Sequence, residues 1–435
     1  MTTEPNYRPA AEAVQIIQSG ERVHFSGTAT FPVNIAKALY ERGLAHEIRN
    51  VTIQYMHNVG ETPFTDPEVA AIFNTEVIYT GGNIRNIVNK GHGGYISISL
   101  GNSANAIRSG VLKPNTAIVM VSPPDKHGYV SLGLSVETNF AAIEMAEKVI
   151  GVVNPNMPRT FGDAIIHTSK FDILCFDNTP ICSINPGRCG DTELQIAANC
   201  ASLIEDGSTL QLGIGNLPNA ILENLQNHKD LGIHTEMFSD GIIPLCEKGV
   251  INNLKKSIDK GKIVASFIMG STDLYSYVDD NPAILMREVA YTNNPEIIAK
   301  NPKVVAINAA IEIDLTGQVN AESIGTTQFS GCGGQLEFVL GANNSEGGKA
   351  IFAMPSITNK GISKIVPALS AGAAITTPRQ DMHYVVTEFG VADLYGKTLQ
   401  ARAKALINIA HPDHREGLEK SAFDRFGPHF IYAKR

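Results

Sequence analysis

Polar and apolar positions alternate through Ser208-Thr209-Leu210-Gln211-Leu212, the period-two signature of a strand. The pattern breaks at Gly213 and Pro218 and resumes with helical spacing through Asn219-Ala220-Ile221-Leu222-Glu223-Asn224-Leu225. Much earlier, Glu21-Arg22-Val23-His24-Phe25 leads into Gly27 and Pro32, then Val33-Asn34-Ile35-Ala36-Lys37-Ala38-Leu39. Gly27 matches Gly213 and Pro32 matches Pro218, both at an offset of about 186 residues. A second match follows at nearly the same offset: Ala117-Ile118-Val119-Met120-Val121 runs on to Asp125, Gly128 and Val130, as Val304-Val305-Ala306-Ile307-Asn308 runs on to Asp314, Gly317 and Val319. The chain therefore carries one unit twice. Each reads as strand, Gly/Pro turn, helix and further strands such as 51–53 or 262–267, which predicts two similar open α/β domains with mostly parallel sheets covered by helices. In such sheets ligands settle beyond the carboxyl ends of the strands.

The turn-formers at 177–180 and 186–190, between a strand at 173–176 and a helix from about Thr192, put the junction at about residue 188. The domains are then 1–188 and 189–435, with a structural amphipathic helix at 399–410 and a polar His411-Pro412-Asp413-His414-Arg415 segment in the tail. With 435 residues, 43% of them hydrophobic, the chain can build two ordinary cores. A net charge of -8 without a basic run excludes a field for nucleic acid. Neither a cationic, apolar leader nor an apolar run of membrane-spanning length occurs, so a cytoplasmic protein without a membrane partner is expected. The six cysteines form no Cys-x-x-Cys pair and have no His at zinc spacing, so reduced thiols are expected, with no metal and no prosthetic group. Cys332 alone lies in a candidate loop, where it reads as a small residue packed between glycines.

The chemistry concentrates on Glu236, within Gly232-Ile233-His234-Thr235-Glu236-Met237-Phe238-Ser239-Asp240-Gly241. A carboxylate there can be a nucleophile, a metal ligand with His234 and Asp240, or a hydrogen-bonded strand end. Two glycine loops favour the nucleophile. Gly213-Ile214-Gly215 lacks the third glycine of a dinucleotide fingerprint. Gly331-Cys332-Gly333-Gly334 places three glycines in four positions, a costly arrangement unless the backbone takes positive φ or closely approaches a ligand, as an oxyanion cradle would.

These segments, together with Asp125-Lys126-His127-Gly128-Tyr129-Val130-Ser131-Leu132-Gly133, Gly333-Gly334-Gln335-Leu336-Glu337-Phe338 and Tyr384-Val385-Val386-Thr387-Glu388-Phe389-Gly390-Val391-Ala392, resemble the acetyl-CoA hydrolase/transferase family of class I CoA-transferases. The similarity spans nearly the whole chain and is greatest to the branch acting on 4-hydroxybutyrate, butyrate and acetate. It implies a CoA-transferase with coenzyme A or acyl-CoA and short-chain carboxylates as substrates, working ping-pong through a glutamyl-CoA thioester on Glu236. It further implies an oxyanion N–H from Gly334, CoA lined by Gly213, Ile214, Gly215, Asn216, Leu217, Gly333 and Gly334, and pantetheine bordered by Asn308 and Asn320.

Gln54 and Tyr55 stand about where the first unit would carry the counterpart of Glu236. His24, Asn58 and His92 are candidates to contact the acid, and Lys360 and Lys364 to meet a CoA phosphate or to form a solvated helix face. Glu388 reads as a structural hydrogen-bonding group. The rival functions are an acyl-CoA hydrolase and a non-catalytic binder of CoA or a sugar phosphate. A homo-oligomer is expected from the base rate for such folds.

Overall fold

The computed structural model describes residues 6–185, 187 and 189–432. Pro186 and Arg188, at the expected junction, lie outside the described residues. The chain divides into two compact units: Met1–Asn185 with Ile263–Asn293 and Gln328–Gly333, and Pro186–Lys262 with Asn294–Thr327 and Gly334–Arg435. A single cut at 188 therefore assigns two later segments to the wrong unit.

The first unit is built on seven strands: β1 (Arg22–Phe25), β2 (Val51–Tyr55), β3 (Phe73–Val77), β4 (Gly93–Tyr95), β5 (Thr116–Val121), β6 (Lys148–Val153) and β7 (Ile173–Phe176). They lie in the order β7-β6-β5-β1-β2-β3-β4, all parallel. β5 is buried at every position, as a central parallel strand covered on both faces must be. Helix α1 (Val33–Leu44) follows the Gly27 turn and buries Ile35, Ala36 and Leu39 on one stripe. These join Phe25, Phe31, Phe64 and Phe73 in the first core.

The second unit has β8 (Thr209–Leu212), β9 (Gly232–Ile233), β10 (Val304–Asn308), β11 (Lys349–Ala353), β12 (Tyr384–Thr387) and β13 (Gly390–Asp393). Their order is β9-β8-β10-β11-β12-β13, parallel except for the hairpin partner β13. Its longer helices are α2 (Asp191–Ala201), α3 (Asn216–Glu223), α4 (Gln335–Asn344), α5 (Leu399–Asn408) and α6 (Pro412–Phe426). The expected tail helix is α5, and the polar segment after it opens α6, with His411 as N-cap and Pro412 at the first position. Phe338 and Val339 of α4 enter the second core beside Val304, Ala306 and Phe352.

Running β2-β1-β5-β6-β7 in one unit and β9-β8-β10-β11-β12 in the other, the two sheets share one strand order. The Asp-x-x-Gly-x-Val matches also form the same turn twice. Asp125 Oδ1 accepts from His127 N at 2.8 Å and Tyr129 N at 2.9 Å, and Asp314 Oδ1 accepts from Thr316 N at 2.8 Å and Gln318 N at 3.0 Å. Gly128 and Gly317 take φ of 80° and 94° after them.

The strand expected at 262–267 is Ile263–Ala265, and it does not join the second sheet. It pairs in parallel with Ile284–Met286, which pairs with Phe161–Gly162, within the first unit. All three of its residues are buried. A uniformly apolar strand carries no mark of which sheet it will join. Among the described residues, no helix is long and apolar enough to cross a membrane.

Candidate active site

In the second unit the carboxyl edge of the sheet gathers most of the candidates. β8 faces β9 with Thr209 opposite Gly232 and Leu210 opposite Ile233, and faces β10 with Leu212 opposite Ile307. β8 and β10 therefore end within one residue of each other, and β9 ends two residues short of β8. Glu236, half-buried, sits in the bend just after β9, before the short strand Met237–Phe238. The residues before it are stitched to β8: His234 N donates to Leu210 O at 3.1 Å, and Thr235 Oγ1 to Leu212 O at 3.2 Å. Leu212 leads directly into Gly213, so the bend and the first glycine loop are neighbours. Residues including Gly213, Thr235, Met237 and Ser239 enclose about 10 Å³ beneath it, room for at most one water. The bend is thus packed from behind.

Gly213 and Ile214 are half-buried, while Gly215 and Asn216 are exposed at the rim. Gly215 has φ 109° and ψ -170°, a conformation closed to side-chain-bearing residues, and it caps α3. The glycine is required by the sharp entry into the helix. At the end of β10, Asn308 Nδ2 donates to Gln211 Oε1 at 3.3 Å, linking the tips of β8 and β10.

Gly334 caps the N-terminus of α4, where backbone N–H groups lack helical partners and favour developing negative charge. α4 is held to the same edge by Gln335 Nε2, which donates to Ala309 O at 2.9 Å, and by Phe338, whose ring meets the His234 ring edge-on at 6.4 Å. Glu236, the loop at 213–217, Asn308 and Gly334 are therefore brought together at one edge. Gly334 has φ -100°, open to any residue, so its torsion alone does not demand glycine. Gly333 belongs to the first unit, with φ 56°. There too, a Cβ on Gly331 would lie 2.7 Å from Ile78 O and 3.0 Å from Tyr79 Cα, and the Cys332 thiol donates to Ile98 O at 3.0 Å. The glycine run answers close backbone packing as well as any ligand.

Asn320 does not present itself at this edge. It is fully buried, its amide donating to Ser323 O at 2.7 Å and Glu312 Oε1 at 3.2 Å while its oxygen accepts from Glu322 N and Ser323 N. Lys360 and Lys364 lie in a turn and a bend rather than on a helix. Lys364 is half-buried, and burial lowers its pKa to about 8 against the opposing field of Glu388. Both Glu388 oxygens are engaged by Ser356, from its N at 2.9 Å and its Oγ at 2.5 Å, which is a structural role.

Within the first unit, the sheet register corrects the expected counterpart of Glu236. Val23, the repeat partner of Thr209, faces Ile53, while Thr209 faces Gly232. Four residues onward from each stand His57 and Glu236, so the counterpart is His57, not the buried Gln54 or Tyr55. Burial lowers the His57 imidazole to about 4, which leaves it neutral, and its ring packs edge-on against Tyr79 at 5.3 Å. A carboxylate side chain in one repeat is matched by an uncharged ring in the other. His24 is buried and bonded to Asn139 at 2.9 Å, Asn58 is buried, and His92 is exposed. A separate cavity of about 430 Å³, lined by residues including Ser122, Pro155, Arg159 and Tyr275, lies beyond β5, β6 and β7 and contains none of the candidates.

Two family models match: the acetyl-CoA hydrolase/transferase N-terminal domain over residues 4–186 and the C-terminal domain over 270–422. The chain is 45% identical to the 4-hydroxybutyrate coenzyme A transferase of Clostridium kluyveri, over 96% of this chain and 97% of that one. It is 44% identical to a succinyl-CoA:acetate/propanoyl-CoA:succinate CoA transferase of Fasciola hepatica, over 95% and 87% respectively. Among solved structures, the 4-hydroxybutyrate CoA-transferase of Porphyromonas gingivalis superposes with a TM-score of 0.83 at 40% identity, covering 97% of this chain and 98% of that one.

Proposed function

Because the chain belongs to the acetyl-CoA hydrolase/transferase family and is a CoA-transferase, we propose that it moves CoA between a short-chain acyl-CoA and a carboxylate such as acetate, butyrate or 4-hydroxybutyrate, through a thioester on Glu236. The observation that carries this reading is the juxtaposition of the Glu236 bend, the 213–217 loop and the Gly334 helix start at one sheet edge.

The Glu236 carboxylate attacks the thioester carbonyl, the C–S bond breaks, and CoA leaves as the thiolate from an acyl-glutamyl anhydride. The thiolate then attacks the glutamyl carbonyl, expelling the first acid as its carboxylate and leaving glutamyl-CoA. An incoming carboxylate reverses the sequence. Nucleophiles and leaving groups are anions throughout, so no proton shuttle is required. What the reaction does require is stabilisation of successive oxyanions, for which the Gly334 N–H at the start of α4 is the candidate donor. The exposed rim at Gly215 and Asn216 is suited to holding CoA away from the reacting carbon, where remote binding energy can be used.

The test is Glu236→Gln, which keeps the shape and removes the nucleophile. The variant should bind CoA and transfer nothing. In the wild type incubated with acyl-CoA alone, borohydride should convert the thioester to an alcohol that peptide mass mapping assigns to Glu236. Turnover by Glu236→Gln, or an unmodified Glu236 peptide, refutes the proposal, and release of free acid without an acceptor beyond one equivalent per active site identifies a hydrolase.

A further inference from the structure

The strand that leads into the Glu236 bend, β9, lies at the edge of its sheet, and its outer side has no neighbouring strand in that sheet. On the inner side, Gly232 N donates to Ser208 O and His234 N to Leu210 O. The intervening residue, Ile233, turns both its backbone groups outward, and an exposed strand edge is the place where a sheet frays or pairs wrongly. Side chains complete it. Ile233 N donates to Asn253 Oδ1 at 2.9 Å, and Ile233 O accepts from Lys256 Nζ at 2.9 Å. The same ammonium donates to Lys262 O at 2.7 Å.

Lys256 is 2% exposed, unusual for a lysine, and nothing in the reaction uses it. Gly232 makes room for it. A Cβ there would lie 2.8 Å from Lys256 Cγ and 3.1 Å from Cδ, so the lysine stem runs close along the strand. Asn253, 4% exposed, holds φ 60° to aim its amide, and Leu231 is tied to the same loop by Val250 O at 2.8 Å and by Asn252 N and Asn253 N. The 250–262 loop thus clasps β9 along its open side, with Lys256 the one cation in the clasp among these bonds and Asp259 the acid whose charge acts on it.

We propose that Lys256 is a positioning residue for the nucleophile: its ammonium fastens Ile233 O, three residues before Glu236, to Lys262 O, and so fixes the bend from which the carboxylate attacks. The proposal rests on Glu236 as nucleophile. Lys256→Met keeps the stem and removes the donors, leaving two carbonyls unsatisfied, while Lys256→Gln retains one short donor. A misplacement of the reacting carboxylate by about 1 Å is sufficient for a loss of about a hundredfold.

The experiment measures three quantities in wild type, Lys256→Gln and Lys256→Met: the single-turnover rate of adduct formation on Glu236 from acyl-CoA, the equilibrium Kd for CoA, and hydrogen exchange of the peptide spanning 231–238. The expected result is adduct formation slowed by about tenfold in Gln and about a hundredfold in Met. CoA affinity should stay within about twofold, and exchange should rise in that peptide while β10 and β11 remain protected. Should Met fail to fold, Gln carries the same three readouts. Adduct formation at the wild-type rate, a loss shared equally with CoA affinity, or faster exchange throughout the unit overturns the proposal. If wild type itself forms no adduct on Glu236, the nucleophile reading fails, and the exchange arm decides by itself whether Lys256 fastens the bend.

Discussion

Replacing Glu137 with Gln should remove a pH dependence of stability that this side chain imposes on the first unit. Its carboxyl is fully buried, accepts from Ser135 Oγ at 2.7 Å, and lies 3.4 Å from Asn139 Nδ2. The imidazole in this network, His24, reaches it only through Asn139 and is itself lowered to about 4 by burial. With both groups neutral at pH 7, no cation accompanies the carboxyl, and burial raises its pKa from 4.5 to about 8. A raised folded-state value means that the folded chain keeps a proton which the unfolded chain releases. The stabilisation is complete below pH 4.5 and is lost as pH rises through about 8. The slope in that window is on the order of 1.4 kcal/mol per pH unit, and the whole span is on the order of 5 kcal/mol. Glutamine keeps the shape and an acceptor oxygen without a titration. Urea midpoints followed by circular dichroism from pH 5 to 8 should therefore fall for wild type relative to Glu137→Gln, with little change in the slope of the transitions. Parallel pH profiles for the two proteins would refute a buried, protonated Glu137. The effect reaches the loop edge as well: Ser135 Oγ also accepts from Thr28 Oγ1 at 3.1 Å, and Thr28 is a β-branched residue at φ 54°. Such strain persists only where its surroundings enforce it.

Gly215→Ala places a side chain at φ 109°, at a cost of about 1–3 kcal/mol unless the loop shifts; calorimetry should show weakened CoA binding, and an unchanged Kd would mean that this loop does not cradle CoA. Gly331→Ala drives a Cβ to 2.7 Å from a backbone oxygen, which cannot rotate away, so it should lower Tm with a loss of about 1–3 kcal/mol. Lys256, lowered by burial from 10.5 to about 7, gives the opposite slope to Glu137. Its stabilisation is present above 10.5 and lost as pH falls through about 7, so the stability of wild type over Lys256→Met should rise across that interval. A flat difference would show that the ammonium keeps its charge in the fold.

The duplication was legible because each repeat opens with the same local grammar, an alternating strand broken by Gly and Pro before a helix, and because one Asp-x-x-Gly turn closes both. Those are short-range constraints, and they reappear as matched strand orders and matched Asx turns. The candidate at 236 was legible for the same reason, as a carboxylate just past a strand end with glycine loops on either side in sequence. The exchange of segments between the units was not. Residues 263–293 and 328–333 join the first unit through long-range strand pairing and through glycines pressed against a distant backbone, and neither leaves a periodic trace. The family resemblance implied that Asn320 borders the pantetheine, yet its bonds to Ser323 and Glu312 enclose it.

The register between β1 and β2 is a relation of the same kind, and it carries the clearest functional consequence. The sequence alone put the counterpart roughly at Gln54 and Tyr55. Spatial pairing instead selects His57, because the connection between β1 and β2 is longer than that between β8 and β9. Each strand end then holds a polar side chain at the same station beyond its sheet. At His57 burial gives a neutral ring, packed on Tyr79, whose pKa has fallen to about 4. At Glu236 the group remains half-buried at the rim, with its backbone packed from behind and the strand beneath it clasped by Lys256 and Asn253. Duplication therefore supplied two equivalent platforms, and the one with the carboxylate follows an edge strand whose outer backbone groups at Ile233 are bonded by the side chains of Asn253 and Lys256.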